Sequence, residues 1–347
     1  MADILFEQRG AAGIITLQRP KVLNALNYAM IKAMREALAV WAADDSVSAV
    51  VLSAEGARAF CAGGDLRMFY DSAGADGLMV RAFWSDEYSL MSEIRHFPKP
   101  YLSLLHGIVM GGGMGISVNG AYRIAASDTV CAMPETGIGF FPDVGASWFL
   151  PHAPGETGTY LGLTGARIKL EDALYVGFVT HVLPRSRWND LIAALAAGEP
   201  AGDLLRTART KAEFPSLLQN REAIDAAFSA DTVEDILRRL EAMGTAWARD
   251  TAKTLRSRSP SSLKIALKAM RAGRTIGFDD AMRMEFRVSC RLAHEPDFRE
   301  GVRAAIIDKD RHPVWRPAAL AGVNAARVEA LFSPLGEDDL PLSAVRG

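Results

Sequence analysis

The sequence is poor in cysteine and has no excess of charge of either sign. Its 347 residues include only three cysteines, Cys61, Cys131 and Cys290, and no two of them form a C-x-x-C pair. An odd, widely spaced set argues against a disulfide framework and a zinc ribbon, and favours a reducing compartment. The 39 basic and 41 acidic side chains give a net charge of −2. Nucleic acid is therefore not an expected partner, because it would call for a basic excess.

Long apolar runs and targeting signals are also lacking. The longest apolar stretch, residues 101–118, contains His106 and five glycines, which argues against a membrane span. The N-terminus has neither the basic region and apolar stretch of a secretory signal nor the Arg-rich character of a mitochondrial presequence. These absences predict a soluble, cytoplasmic protein with no membrane partner.

Several motifs that bind nucleotides or metals, or that supply a nucleophile, are missing. There is no Gly-Lys-Ser/Thr for a phosphate loop, no G-x-S-x-G elbow and no H-x-x-x-H pair. The glycine run that ends at Gly115 lacks the third glycine of a dinucleotide fingerprint, because Ile116 and Val118 stand at the required positions. We therefore predict neither a cofactor nor a metal ion.

The order of predicted elements indicates an α/β fold over residues 1–190. Two short strands are predicted within residues 4–17, and short buried strands over 48–52 and 101–105. A helix is predicted near 28–42, because its apolar residues recur at helical spacing. After about residue 188 the pattern is mostly helical, with a linker over 197–203 and a helix start at Ser259-Pro260.

Two loops of small residues follow predicted strands. In Met110-Gly111-Gly112-Gly113-Met114-Gly115 the absent side chains let a ligand approach the backbone. Backbone N–H groups exposed in this way can stabilise an oxyanion. A close contact between helices explains the same glycines equally well. The second loop, Phe60-Cys61-Ala62-Gly63-Gly64-Asp65, would present further amides, although such a loop is more often an ordinary turn.

A third segment, residues 133–145, places two carboxyl groups in apolar surroundings. Glu135 and Asp143 stand eight residues apart among Gly, Pro, Ile, Val and Phe. Desolvation tends to raise the pKa of such carboxyls, which suits general acid–base chemistry or nucleophilic attack. The alternative is a pair of acids that cap a helix or form ion pairs.

Together these segments resemble the crotonase (enoyl-CoA hydratase/isomerase) superfamily. The resemblance rests on the 59–66 loop, the His106-Gly107 strand end, the Gly111–Gly113 triplet and Pro134-Glu135. Within the superfamily, the chain looks most like the 3-hydroxyisobutyryl-CoA hydrolase branch. That closer match uses the segment 132–145, Leu150-Pro151, the 163–165 turn, and the stretches 259–264, 284–287 and 298–310.

The resemblance implies an α/β fold, a spiral of ββα turns with a helical C-terminal region. Its parts would be a core over 1–190, a helical insertion over 191–258 and a C-terminal helical region over 259–347. It also implies an acyl-CoA substrate and a homo-trimer or hexamer. The thioester carbonyl would lie between the amides of Gly64 and Gly112, beside Gly111. Coenzyme A would run along Asp65, Leu66 and Arg67, with Ala25 near its adenine end.

The acidic residues distinguish the hydratase branch of the superfamily from the hydrolase branch. A hydratase of this superfamily uses two glutamates, one matching Glu135 and the other at the position of Gly115, which has no side chain. The resemblance therefore implies hydrolysis of 3-hydroxyisobutyryl-CoA, as in valine breakdown, with Glu135 as nucleophile or base and Asp143 assisting. Asp86 is expected to contact the substrate. A hydratase or isomerase using Glu135 alone and a non-catalytic acyl-CoA-binding protein are the alternatives.

We expect Glu135→Gln to remove most turnover while leaving acyl-CoA binding intact, because the amide keeps the shape of the side chain but is neither a base nor a nucleophile. Thiol release measures turnover and calorimetric titration measures binding. Retained turnover in a preparation free of wild-type enzyme would contradict the role assigned to Glu135.

Overall fold

The computed structural model describes residues 2–72 and 78–342 of the chain. Ten strands lie within these residues. Their bounds are β1 Ile4–Arg9, β2 Ala12–Leu17, β3 Ala49–Ala54, β4 Ala59–Cys61, β5 Tyr101–Leu105, β6 Ile108–Met110, β7 Tyr122–Ala125, β8 Val130–Ala132, β9 Ile168–Lys169 and β10 His181–Val182.

The helices occupy most of the rest of the described chain. Their bounds are α1 Tyr28–Ala43, α2 Leu66–Ser72, α3 Leu78–Arg95, α4 Gly112–Val118, α5 Ala146–Phe149, α6 Thr157–Thr164, α7 Leu170–Tyr175, α8 Trp188–Ala196, α9 Ala201–Leu205, α10 Arg221–Phe228, α11 Val233–Met243, α12 Ala246–Arg256, α13 Pro260–Gly273, α14 Phe278–Leu292, α15 Pro296–Val302 and α16 Ala325–Leu331.

The strands form two sheets that the chain visits in alternation. The first has the order β1-β2-β3-β5-β7-β10, and the second has the order β4-β6-β8-β9. The pairs β3·β5 and β5·β7 are parallel in the first sheet, as are β4·β6 and β6·β8 in the second. From β3 to β8, each pass adds one strand to each sheet. This arrangement confirms the predicted α/β spiral of ββα turns.

Local sequence explains where individual helices begin and which face they bury. In α1, Ile31, Met34 and Leu38 are buried, as the helical spacing predicts. The side chain of Asn27 caps this helix by accepting a hydrogen bond from Met30 N, 2.9 Å away. At the predicted start of α13, Ser259 Oγ accepts a hydrogen bond from Ser262 N, with Pro260 as the first helical residue.

The helical second half shares its core with the first. One hydrophobic cluster includes Ile15 of β2, Leu255 of α12 and Phe286 of α14, so it contains residues of all three predicted regions. A smaller cluster packs α8 and α9 against the first sheet. The predicted linker is shorter than expected, because Ala201–Leu205 is helical. In the described ranges, no helix combines the length and the apolar character that crossing a membrane requires.

Candidate active site

The candidate site lies where three neighbouring strands of the second sheet end. The strands β4, β6 and β8 pair in parallel, so their carboxyl ends lie along one edge. The loop after β4 carries Gly64, the loop after β6 carries Gly111 and Gly112, and the segment after β8 carries Glu135. Loops that are distant in sequence therefore meet at one place, as is usual for binding sites at the carboxyl edge of parallel sheets.

The amides of Gly64 and Gly112 lie side by side. A Cβ placed on Gly112 would stand 3.4 Å from Gly64 N, and one placed on Gly63 would stand 3.4 Å from Gly112 N. Gly112 is the first residue of α4, so its N–H has no partner within the helix. A neighbouring contact fixes the first loop, because Leu26 N donates to Gly63 O at 2.8 Å. Two adjacent backbone donors of this kind can hold one carbonyl oxygen.

These glycines line a small cavity of about 90 Å³. One wall consists of stacked aromatic rings. The ring centroids of Phe69 and Trp84 are 5.4 Å apart, and those of Trp84 and Phe140 are 5.5 Å apart. Phe298 of α15 packs on Phe140 at 4.9 Å. The other lining residues are Ala62, Gly63, Gly64, Leu66, Phe83, Glu87, Gly111, Gly112, Pro134, Glu135, Ile138, Asp143 and Val144.

Glu135 points its carboxyl group at the glycine loop. It begins a short 3₁₀ turn after β8 and is 6% exposed. Its Oε1 lies 3.1 Å from the position that a Cβ on Gly111 would occupy, and its buried Oε2 has no hydrogen-bond partner in the described part of the chain. Burial, and then the charge of Asp143, raise the pKa of Glu135 well above its usual value. An unpartnered carboxyl oxygen in a cavity is suited to contact a substrate or a water.

Asp143 shares the cavity with Glu135 and is equally buried, at 6% exposed. Its Oδ2 accepts a hydrogen bond from the hydroxyl of Tyr88 at 2.6 Å. Burial raises the pKa of Asp143 to about 7, although the Tyr88 hydrogen bond opposes the rise. A carboxyl group with such a pKa can exchange a proton near neutral pH.

The structure places Asp86 outside the lining of this cavity. Its Oδ2 accepts a hydrogen bond from Tyr28 at 2.7 Å, and its Oδ1 is paired with Arg35 of α1. The next residue, Glu87, lines the cavity instead and is 3% exposed. One residue turns a helix by about 100°, so neighbours face different surroundings.

A signal for Glu87 is present in the sequence. Val80, Phe83, Trp84 and Glu87 lie at i, i+3, i+4 and i+7, and all four are buried on α3. A carboxyl group on an otherwise apolar stripe marks a buried acid. Burial raises the pKa of Glu87 well above its usual value, and the charges of Asp143 and Glu285 add to the effect.

The remaining predicted contacts lie at different distances from the cavity. Leu66 lines it, whereas Arg67 is exposed at the surface of α2. Asp65 and Ala25 are outside the cavity lining and are joined by Arg19, which donates to Asp65 Oδ2 at 3.0 Å and to the Ala25 carbonyl at 2.5 Å. Contact of these residues with coenzyme A stays a prediction. Among the described residues, no group of three His, Cys, Asp or Glu side chains is placed to hold a metal ion.

The space beside Gly115 is filled by other side chains. A Cβ at this position would lie 2.6 Å from Val144 Cβ and 2.8 Å from Met91 Sδ. Val144 itself adopts a φ of 53°, and Asn119 Nδ2 donates to the carbonyls of both Gly115 and Val144. A side chain at Gly115 is therefore excluded by packing as well as missing from the sequence.

Comparison with known proteins gives consistent matches over nearly the whole chain. A family model described as enoyl-CoA hydratase/isomerase matches residues 12–332. Curated proteins named "3-hydroxyisobutyryl-CoA hydrolase, mitochondrial" from Gallus gallus and Danio rerio are each 41% identical over 98% of this chain, and the match covers 91% and 92% of their lengths. A solved structure titled as a carnitinyl-CoA dehydratase from Mycobacterium thermoresistibile has a TM-score of 0.92 at 40% identity, covering 98% of both chains.

The comparisons also correct the predicted location. The similar curated proteins carry "mitochondrial" in their names, which contradicts the cytoplasmic location predicted from the N-terminus. That prediction relied on the lack of a presequence-like pattern. The homo-trimer or hexamer that the resemblance implies stays a prediction.

We expect Gly115→Ala to lower the free energy of unfolding by about 1–3 kcal/mol, because the added methyl group overpacks the contact with Val144 and Met91. Gly202→Ala is the matched control, since Gly202 is also helical and its Cβ would meet only Tyr122 Oη at 3.6 Å. That control should be neutral or stabilising by up to about 1 kcal/mol. Urea unfolding measures both, and a midpoint for Gly115→Ala at or above the wild-type value would contradict the packing.

Proposed function

This chain belongs to the enoyl-CoA hydratase/isomerase family, and we propose that it hydrolyses the thioester of 3-hydroxyisobutyryl-CoA to 3-hydroxyisobutyrate and coenzyme A, as in valine breakdown. Membership confirms the family resemblance, and the names of the curated relatives at 41% identity support the hydrolase branch. The observation that carries the proposal is that Glu135 lines the same cavity as Gly64 and Gly112, while Val144 packs against Gly115, the position at which the resemblance implies the second glutamate of a hydratase. Coenzyme A is part of the substrate, and the proposal involves no further cofactor.

In this proposal the thioester carbonyl oxygen accepts hydrogen bonds from the N–H groups of Gly64 and Gly112. As the carbonyl carbon is attacked, negative charge develops on that oxygen and these bonds strengthen. One such donor typically contributes about 3–4 kcal/mol of transition-state stabilisation. Both donors belong to the backbone, so they are already oriented before the reaction begins.

In its ionised form, which its raised pKa shifts towards higher pH, Glu135 supplies the attack in either of two ways. As a nucleophile it adds to the carbonyl carbon, the C–S bond breaks, and water then hydrolyses the resulting anhydride. As a base it takes a proton from a water that attacks the same carbon. Both routes consume one water and release one thiol. Asp143, with a pKa of about 7, assists by exchanging a proton with the attacking water or the departing thiolate.

Glu87 is the acid that we assign to the substrate's hydroxyl group, in place of Asp86. Its Oε1 lies 3.2 Å from the position of a Cβ on Gly112, which places the carboxyl beside the backbone donors. Burial favours its protonated form, and a protonated carboxyl can both donate and accept a hydrogen bond. A hydroxyl on a short acyl chain would satisfy this group, and the cavity of about 90 Å³ suits a small acyl group.

The test of the activity compares two substrates. We expect thiol release from 3-hydroxyisobutyryl-CoA. We expect no hydration of crotonyl-CoA, which is measured by the loss of its double bond. A dehydratase or hydratase is the second candidate, because one structure of similar fold and 40% identity carries a dehydratase title. Hydration of crotonyl-CoA without thiol release from 3-hydroxyisobutyryl-CoA would favour that candidate and reject hydrolysis.

The role of Glu87 is tested with a substrate that lacks the hydroxyl. We expect Glu87→Met to lower kcat/KM for 3-hydroxyisobutyryl-CoA by at least about tenfold and to change kcat/KM for isobutyryl-CoA much less, since only the first substrate loses a hydrogen bond. Asp86→Asn is the matched control, because its side chain faces α1. Equal losses with both substrates would contradict this contact.

A further inference from the structure

The side chain of Tyr88 connects the active-site acid Asp143 to the helical second half of the chain. Tyr88 and Ser289 are both fully buried, at 0% exposed. The Tyr88 hydroxyl lies 2.6 Å from Asp143 Oδ2 and 2.6 Å from Ser289 Oγ. A phenol has one proton to donate. When Asp143 is ionised, Tyr88 must donate to it, and Ser289 must then donate to Tyr88.

We propose that Tyr88 is a positioning residue for the hydrolysis proposed above. Its hydroxyl, oriented by Ser289, holds the Asp143 carboxyl in the cavity and favours the ionised form of Asp143 over that of Glu87. The proposal rests on that function for its catalytic consequence. The hydrogen-bond geometry on which it stands is independent of the substrate.

A second contact from the same helix fixes the backbone next to Asp143. Glu285 lies one turn before Ser289 on α14 and is also fully buried. Its carboxylate accepts hydrogen bonds from Gly145 N at 2.8 Å, Ser147 N at 2.9 Å and Ser147 Oγ at 2.5 Å. Helix α14 therefore holds the Asp143 segment at two points, through Glu285 at the backbone and through Ser289 and Tyr88 at the side chain.

The charged and titratable groups around Asp143 make the hydrogen bond from the Tyr88 hydroxyl necessary. Helix α3 contributes Glu87 and Tyr88, the turn after β8 contributes Glu135, and α14 contributes Glu285. Three of these four groups are carboxyls whose charge would repel that of Asp143. In the described residues, Tyr88 is the one side chain that donates a hydrogen bond to Asp143.

The hydrogen bond from Tyr88 decides whether Glu87 or Asp143 carries the proton that the two carboxyls share. Glu87 and Asp143 each disfavour the charge of the other in a buried site, so they titrate as a pair. A hydrogen bond to the charged form favours that form, which places the charge on Asp143 and the proton on Glu87. Removal of the Tyr88 hydroxyl raises the pKa of Asp143, so the step in which ionised Asp143 accepts a proton from the attacking water is lost at a higher pH than in the wild type.

The kinetic test is the pH profile of thiol release by Tyr88→Phe, a change that removes one oxygen. We expect kcat at pH 7 to fall about fivefold, the acidic limb to move up by about one pH unit, and KM to change little. Ser289→Ala keeps the Tyr88 ring and should move the limb in the same direction by less. It also serves as the test if Tyr88→Phe does not fold.

Tyr101→Phe is the matched control. Tyr101 is also buried, but its hydroxyl donates to the Ile116 carbonyl at 3.2 Å. This variant loses a buried tyrosine hydroxyl without touching the acids, and its acidic limb should coincide with that of the wild type. Superimposed profiles for Tyr88→Phe and Tyr101→Phe would overturn the proposal.

An infrared titration separates this proposal from the proposed function. The band of the protonated Asp143 carboxyl, assigned by its loss in Asp143→Asn, should appear at higher pH in Tyr88→Phe than in the wild type. This readout needs no turnover. Absence of thiol release by the wild-type protein would reject the hydrolase, whereas an unmoved Asp143 band would reject the role of Tyr88.

Discussion

The burial of several carboxyl groups around one aromatic-walled cavity is the constraint on which the rest of the site depends. Glu87, Glu135 and Asp143 line this cavity, and the charge of Glu285 raises the pKa of Glu87 and Glu135 further. Neighbouring buried carboxyls cannot all be ionised at neutral pH, because desolvation and mutual repulsion both favour the protonated form. Fixed donors therefore favour charge on the groups that they contact: the hydroxyl of Tyr88 favours ionised Asp143, and the amides of Gly145 and Ser147 favour ionised Glu285.

These donors explain why the helical second half contributes to the candidate active site. The two sheets bring the glycine loops and Glu135 together, and Tyr88 of α3 donates to Asp143, but the hydroxyl that orients Tyr88 lies on α14. Helix α14 supplies Ser289 and Glu285, and α15 supplies the ring of Phe298 to the cavity wall. The site is therefore complete only when distant parts of the chain have packed on each other.

The sequence predicted the parts of the site that depend on local pattern. Gly64, Gly112 and Glu135 each follow a strand, and the structure places all three at one sheet edge with Asp143. Asp86 lies outside the cavity lining because adjacent residues of a helix face different surroundings, whereas the apolar stripe of α3 points to Glu87. The contact between Tyr88 and Ser289 joins residues 201 positions apart, and no local pattern in the sequence marks such a pair.

The packing of Val144 against Gly115 limits how this chain could acquire a neighbouring chemistry by mutation. A carboxyl group at position 115 requires space that Val144 and Met91 already occupy. Val144 is also a β-branched residue in the left-handed region, a conformation with a cost of about 1–3 kcal/mol, and Asn119 holds its carbonyl. Val144 must therefore be replaced by a smaller residue before a glutamate fits at position 115. A carboxyl-bearing side chain at position 115 is thus coupled to the size of the side chain at position 144.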